Sequence, residues 1–313
     1  MSKSKILIDC DPGHDDAVAI LFAARQLQLV GITTVHGNNS VENTTRNALA
    51  VIELAGLDVS LAVGCAEPLA QPRANIAAVH GPTGLDGAQL PEPKRQPMQM
   101  HAVDFIIEMA HRYRQDLILA ALGPQTNLAV ALKREPRLKS WLREITVMGG
   151  STGAGNVTAA AEFNINCDPE AAWAVFNSGV PIRMVGLNIT RQTGFNEADI
   201  ELLRASGRSV AAVIADLMAF YLSRQRQRHG LKIAPMHDVC AIVPYVNATA
   251  FEYRHTRVDI ELAGTHTRGM TVCDLRPHLS SAADRPPANA LVAIAADSRL
   301  VIKGVIETLL SYA

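Results

Sequence analysis

Residues 6–16 read ILIDCDPGHDD and place Asp9, Asp11, Asp15 and Asp16 directly after an apolar run. Like charges this close disfavour one another's ionised forms, and burial at the end of a strand adds to the cost. A bound cation is the first compensation to consider, and carboxylate oxygens select Ca²⁺ or Mg²⁺ over softer metals. Two or three acids do not complete such a site, so further oxygen ligands must come from elsewhere in the chain. Each acid also has an ordinary use. Asp11-Pro12-Gly13 turns the chain, Asp9 serves as a turn residue, and Asp15 and Asp16 open a helix whose N-terminus favours negative charge. Four acids at one strand end outweigh that reading.

Three later stretches add polar groups. PMHDVCAI (235–242) brings His237 and Asp238, where Asp238 alone would pass as a helix N-cap. GNVTAAAEFNINCDPEAA (155–172) offers Asn156, Glu162, Asn164 and Asn166, amides and a carboxylate suited to sugar hydroxyls or to the plain polarity of a loop. Asp168-Pro169 reads as an N-cap followed by proline at the first helical position. His80 stands in the glycine-rich VHGPTGLDG, where a histidine is ordinarily solvated. Two rival motifs are incomplete. GGSTGAG (149–155) is neither G-x-G-x-x-G nor a phosphate loop ending in Gly-Lys-Ser/Thr. ILIDCD resembles the D-x-D opening of haloacid-dehalogenase-type phosphatases, but Pro12-Gly13-His14 follows it and no later lysine and acidic pair completes that site.

The elements that must position these groups alternate along the chain. Strands are expected at 5–9, 29–35, 117–122, 144–150 and 181–187, with helices at 15–26, 41–55, 127–135 and 168–179. Near-continuous apolar strands separated by amphipathic helices predict a doubly wound α/β fold, a mostly parallel sheet flanked by helices. In such folds ligands sit beyond the carboxyl ends of the strands, where the polar clusters fall. Residues 197–246 read as mainly helical, 257–262 and 290–297 as late strands, and the C-terminal stretch as a closing helix. With no repeat or linker, residues 1–313 read as a single domain.

A formal net charge of −1 gives no reason to expect nucleic acid or a membrane surface as partner. The N-terminal stretch meets an acid too soon to hold a signal-peptide core. Five dispersed cysteines without a CxxC favour reduced thiols over a disulfide frame or a zinc site. A cytoplasmic protein is the expectation.

Taken together, DCDPGHDDAVAI, GITTVHGNNS, VHGPTGLDG, LGPQTNLAVAL, VMGGSTGAGNVTAAAEFNINCDPEAA and PMHDVCAI resemble the inosine–uridine nucleoside hydrolase family. The similarity runs in order from about residue 5 to 275 and looks nearest to the bacterial pyrimidine-preferring ribonucleoside hydrolases. The resemblance implies hydrolysis of the N-glycosidic bond of ribonucleosides, uridine and cytidine preferred, to free base and ribose. It implies a Ca²⁺ held by Asp11, Asp16, Asp238 and the backbone carbonyl of Leu122, with Asp11 as general base for the calcium's water. Asp15 and Asn38 would bind ribose hydroxyls, Asn156, Glu162 and Asn164 would grip the remaining sugar, and Met148 would lie nearby. His237 and His80 are the candidate proton donors to the leaving base, an ordinary histidine pKa of ~6.5 being close to working pH. Near the base, Gln225 matches the pyrimidine-preferring relatives, whereas His229 stands where they tend to carry tyrosine. A homodimer or homotetramer is implied as well. The alternatives are a hydrolase that takes purine and pyrimidine nucleosides alike, the phosphatase, and a nucleoside-binding protein without catalysis.

Overall fold

Strand β1 (Lys5–Cys10) carries the apolar run into the aspartates and is buried from Ile6 onward. The computed structural model describes residues 3–72, 79–277 and 286–313. From β1 the chain continues through α1 (His14–Gln26), β2 (Gln28–Thr34), α2 (Val41–Leu54), β3 (Leu61–Val63), α3 (Ala102–Tyr113), β4 (Leu117–Ala121), α4 (Thr126–Arg134), α5 (Leu138–Trp141) and β5 (Glu144–Met148). There follow α6 (Phe163–Cys167), α7 (Pro169–Phe176), β6 (Ile182–Val185), α8 (Leu187–Thr190), β7 (Gly194–Phe195), α9 (Glu197–Ala205), α10 (Ser209–His229) and β8 (Ala234–Pro235). The chain ends with β9 (Phe251–Thr256), β10 (Val258–Ile260), β11 (Thr271–Cys273), β12 (Ala290–Ala296) and α11 (Ser298–Leu309).

Eight strands form one sheet in the order β3-β2-β1-β4-β5-β6-β12-β9. All pairings are parallel except β12 with β9. The order turns back between β1 and β4, because the chain first winds outward through β2 and β3 and then returns to the other side of β1. That reversal opens a crevice beyond the carboxyl ends of β1 and β4. Asp11 follows one of these strands and Leu122 the other.

Side chains of β1 alternate between two cores, as the period of a strand requires. Ile6, Ile8 and Cys10 face a core built with α1, α2, α10 and α11, whereas Leu7 faces one built with α3, α4 and α7. Each fully buried aliphatic side chain contributes ~1.5–3 kcal/mol, and this apolar frame holds the aspartates where water alone would not gather them. Asp9 shares the parity of Leu7. It is buried within the strand rather than in a turn, and its Oδ1 accepts from Thr33 Oγ1 at 2.6 Å and Asn127 Nδ2 at 2.8 Å. It therefore stands apart from the other acids.

Two late expectations are corrected. The strand expected at 257–262 shrinks to β10, which pairs with β11 in a separate ribbon, while β9 takes the sheet edge. Helix over 197–246 stops at His229, where Gly230 adopts a left-handed cap (φ 67°), and short 3₁₀ turns follow from Asp238. No helix among the described residues is long and apolar enough to cross a membrane. None of the five cysteines is in a disulfide.

Candidate active site

Gly13 caps α1, and Asp16 Oδ2 accepts its backbone N–H at 2.8 Å. One oxygen of Asp16 thus starts the helix, the ordinary use of an acid at that position. The other, Oδ1, is buried with no hydrogen-bond partner. Among the described residues, Asp15, Asp16 and Asp238 bring ligand atoms within 4.8 Å of one another. The resemblance implies Asp11, not Asp15, beside Asp16 and Asp238. Asp11 adjoins the three, with Oδ2 accepting the Asn38 N–H at 2.6 Å, and the backbone N–H groups of His237 and Asp238 favour the charged form of Asp15. Asp238 is therefore no ordinary N-cap; its side chain is drawn into the cluster. Gly37 permits the tight turn over Asp11: its φ is 156°, and a Cβ there would lie 2.0 Å from Asp11 Oδ2.

Burial and mutual repulsion act on all four carboxyls. Desolvation first, then neighbouring aspartates, push Asp11 and Asp238 well above the usual carboxylate range. Desolvation raises Asp15 to about 8, with Asp16 adding to it, and raises Asp16 to about 6. Such a cluster is costly unless positive charge enters it. The donors are all oxygen, one buried carboxylate oxygen lacks any donor, and no histidine or cysteine belongs to the group. The site fits a hard divalent cation.

Above this floor lies a cavity of about 670 Å³. Every site residue that the resemblance implies lines it except Asp16, which is buried. Asn164, at the start of α6, donates through Nδ2 to the carbonyls of Leu122 at 2.7 Å and Met148 at 3.0 Å, tying the ends of β4 and β5 together. Glu162 caps α6 and accepts from Gly150 N at 2.9 Å and Ile165 N at 3.2 Å. Burial still raises it to about 7. Asn156 is exposed at the rim, its Oδ1 accepting the Phe163 N–H at 2.9 Å. Asn166 does not line the cavity. Asp168 is the expected N-cap, its Oδ1 accepting from Ala171 N at 3.0 Å.

The opposite end is aromatic and imidazole-rich. His80 is buried rather than solvated, and it stacks on Tyr221 and His14 with ring centroids 5.1 Å from each. His237 Nδ1 lies 2.7 Å from Thr190 Oγ1. Burial pushes His237 down to about 4 and His80 well below its ordinary value. Both shifts favour the neutral imidazole. Gln225 is buried in the cavity wall, while His229 is exposed at the mouth. Partial burial and then the charges of Arg228 and Arg191 lower the His229 pKa. Sequence reasoning missed Tyr221, Arg191 and His14. Tyr221, Gln225 and His229 recur at intervals of four along α10, a spacing that puts them on one helical face and was open to detection. For Arg191 the sequence carries no such signal.

Comparison with known proteins bears on what this cavity does. The family model described as inosine-uridine preferring nucleoside hydrolase matches residues 6–303. The chain is 42% identical over 273 residues to the pyrimidine-specific ribonucleoside hydrolase RihA of Photobacterium profundum, covering 86% of this chain and 88% of that one. It is 38% identical over 300 residues to the pyrimidine-specific ribonucleoside hydrolase RihB of Escherichia coli O157:H7, covering 95% and 94%. Among solved structures, the purine-preferring ribonucleoside hydrolase from Gardnerella vaginalis superposes with a TM-score of 0.91 at 31% identity, over 98% of both chains. The chain belongs to the inosine–uridine preferring nucleoside hydrolase family and is an enzyme that cleaves the N-glycosidic bond of ribonucleosides.

Proposed function

We propose that this enzyme hydrolyses uridine and cytidine ahead of inosine, at a Ca²⁺ site formed by Asp11, Asp16, Asp238 and the Leu122 carbonyl. The observation that carries this reading is the buried carboxylate cluster on the floor of a cavity whose far end holds two neutral histidines. Asp15 lines the cavity together with Asn38, which supports a role for the pair toward the ribose hydroxyls. Asn156, Glu162 and Asn164 complete the sugar's surroundings, with Met148 beside them.

A divalent cation held there by Asp11, Asp16 and Asp238 would lower the pKa of a water. Asp11 takes the water's proton as general base. The sugar passes through an oxocarbenium-like state, as in other glycoside hydrolysis, and the cluster's negative charge lies on its side of the cavity. The base leaves with negative charge on its ring. His80 and His237 each keep one N–H as neutral imidazoles and donate it to that ring. Neutral rings suit this work, because they add no charge repelled by the oxocarbenium.

Base preference rests on the two pyrimidine-specific relatives, since the same fold serves a purine-preferring one. His229 and Gln225 share the mouth-facing side of α10, and His229 closing over the base would add a donor beside His237. A panel of uridine, cytidine and inosine, followed by kcat/KM, tests the preference; inosine cleaved as well as uridine would refute it. On the same panel His229→Ala should lower uridine turnover more than His229→Tyr does. Unchanged turnover in His229→Ala would leave His229 a solvated helix-end residue.

A further inference from the structure

The mechanism above makes no use of a buried hydrogen-bond chain through His36, Thr126 and Asp168, none of which lines the cavity. Asp168 caps α7, its Oδ1 accepting the Ala171 N–H at 3.0 Å and its Oδ2 the Leu69 N–H at 2.9 Å. Thr126 Oγ1 donates to the same Oδ2 at 2.7 Å. A hydroxyl has one proton to give. The Thr126 oxygen therefore accepts from His36 Nε2, which lies 3.0 Å away.

That last bond joins the two sides of the Asp11 carboxylate. Strands β2 and β4 flank β1 in the sheet, so the segments after them flank the residue after β1. On the β2 side, a Cβ on Gly37 would lie 2.0 Å from Asp11 Oδ2, the oxygen that accepts the Asn38 N–H. On the β4 side, a Cβ on Gly123 would lie 2.6 Å from Asp11 Oδ1. Because β1 stands between them, no ladder bond sets the distance between these two segments. Side chains from the start of α4 span it instead. Asn127 Nδ2 reaches the Thr34 carbonyl at 3.0 Å, and Thr126 takes the bond from His36, the residue next to Gly37. The backbone N–H of His36 donates to the Cys65 carbonyl at 3.0 Å, which ties its segment down.

We propose that His36 is a positioning residue for the reaction, fixing through Thr126 the width of the gap that holds the Asp11 carboxylate. This rests on the reading of Asp11 as cation ligand and general base. A reacting group misplaced by about 1 Å can cost ~10²-fold in rate. Residues that orient a metal ligand typically cost ~10–100-fold in metal affinity or activity when replaced.

The test compares the parent with His36→Leu, His36→Gln, Thr126→Val, the His36→Leu/Thr126→Val double variant and Asp11→Asn. Calcium affinity is read without nucleoside, by competition with a chelator, and kinetics on uridine at saturating calcium. For His36→Leu, calcium affinity should fall ~10–100-fold and kcat about tenfold, with KM within about threefold of the parent. Thr126→Val should match it, and the double variant should be no worse than either single one, because all three break one bond. His36→Gln returns an N–H near the place of Nε2 and should recover most of both losses. Parental calcium affinity and kcat in His36→Leu, whatever its melting temperature, would overturn the inference. So would additive losses in the double variant, or a His36→Gln no better than His36→Leu. Should His36→Leu not fold, Thr126→Val decides on the same readings. Asp11→Asn keeps two failures apart: if it is inactive while His36→Leu is normal, this inference alone falls. If Asp11→Asn is active, the general-base reading falls and takes the inference with it.

Discussion

Asp11→Asn should lower kcat by ~10²–10⁴-fold, the usual contribution of a general base, while nucleoside affinity changes far less. An amide keeps the size of the side chain and an oxygen able to face a cation, but it cannot take the water's proton. Its surroundings are also specific to a carboxylate. Asn38 N–H donates to Asp11 Oδ2, and Gly37 packs so closely on that oxygen that a Cβ there would lie 2.0 Å from it. Steady-state kinetics on calcium-replete protein, with uridine binding by calorimetry, separates the two effects. Near-normal turnover would remove Asp11 as the base.

Stripping the cation with a chelator should abolish turnover and destabilise the fold, more at pH 8 than at pH 5.5. The sign follows from the carboxyl groups. Their folded-state pKa values lie above the unfolded ones, so without a cation their contribution is present at low pH. It is lost as pH rises through about 6 for Asp16 and about 8 for Asp15. A tenfold difference in proton affinity between folded and unfolded states corresponds to ~1.4 kcal/mol, so a drop in Tm on the order of 10 °C between the two pH values is expected. Calcium-loaded protein holds the carboxylates ionised and should lack that drop. Melting curves of both forms decide it. Equal pH profiles with and without chelator, and retained turnover, would remove the cation from the account.

Much of this site was legible because its parts are local. ILIDCDPGHDD joins strand, turn and helix start in eleven residues, so the acids had to emerge together wherever that strand lay. Asp9 lies inside β1 whereas the other acids follow it, and its bonds to Thr33 and Asn127 set it apart. The His80 stack was harder to read. Its rings come from the start of α1, a loop and the middle of α10, so nothing local in the sequence gathers them. Strand β9 at the sheet edge was missed for a related reason. The strand FEYRHT exposes charged side chains at a sheet edge and so lacks the buried pattern that betrayed the central strands.

Incubating purified enzyme with uridine in phosphate-free buffer, and measuring uracil and reducing sugar together, tests the central claim most directly. The account predicts equimolar uracil and free ribose, with phosphate making no difference and chelator stopping both. Uridine bound without product would mark a nucleoside-binding protein, and a need for phosphate with ribose 1-phosphate as product would mark phosphorolysis; either result would contradict it.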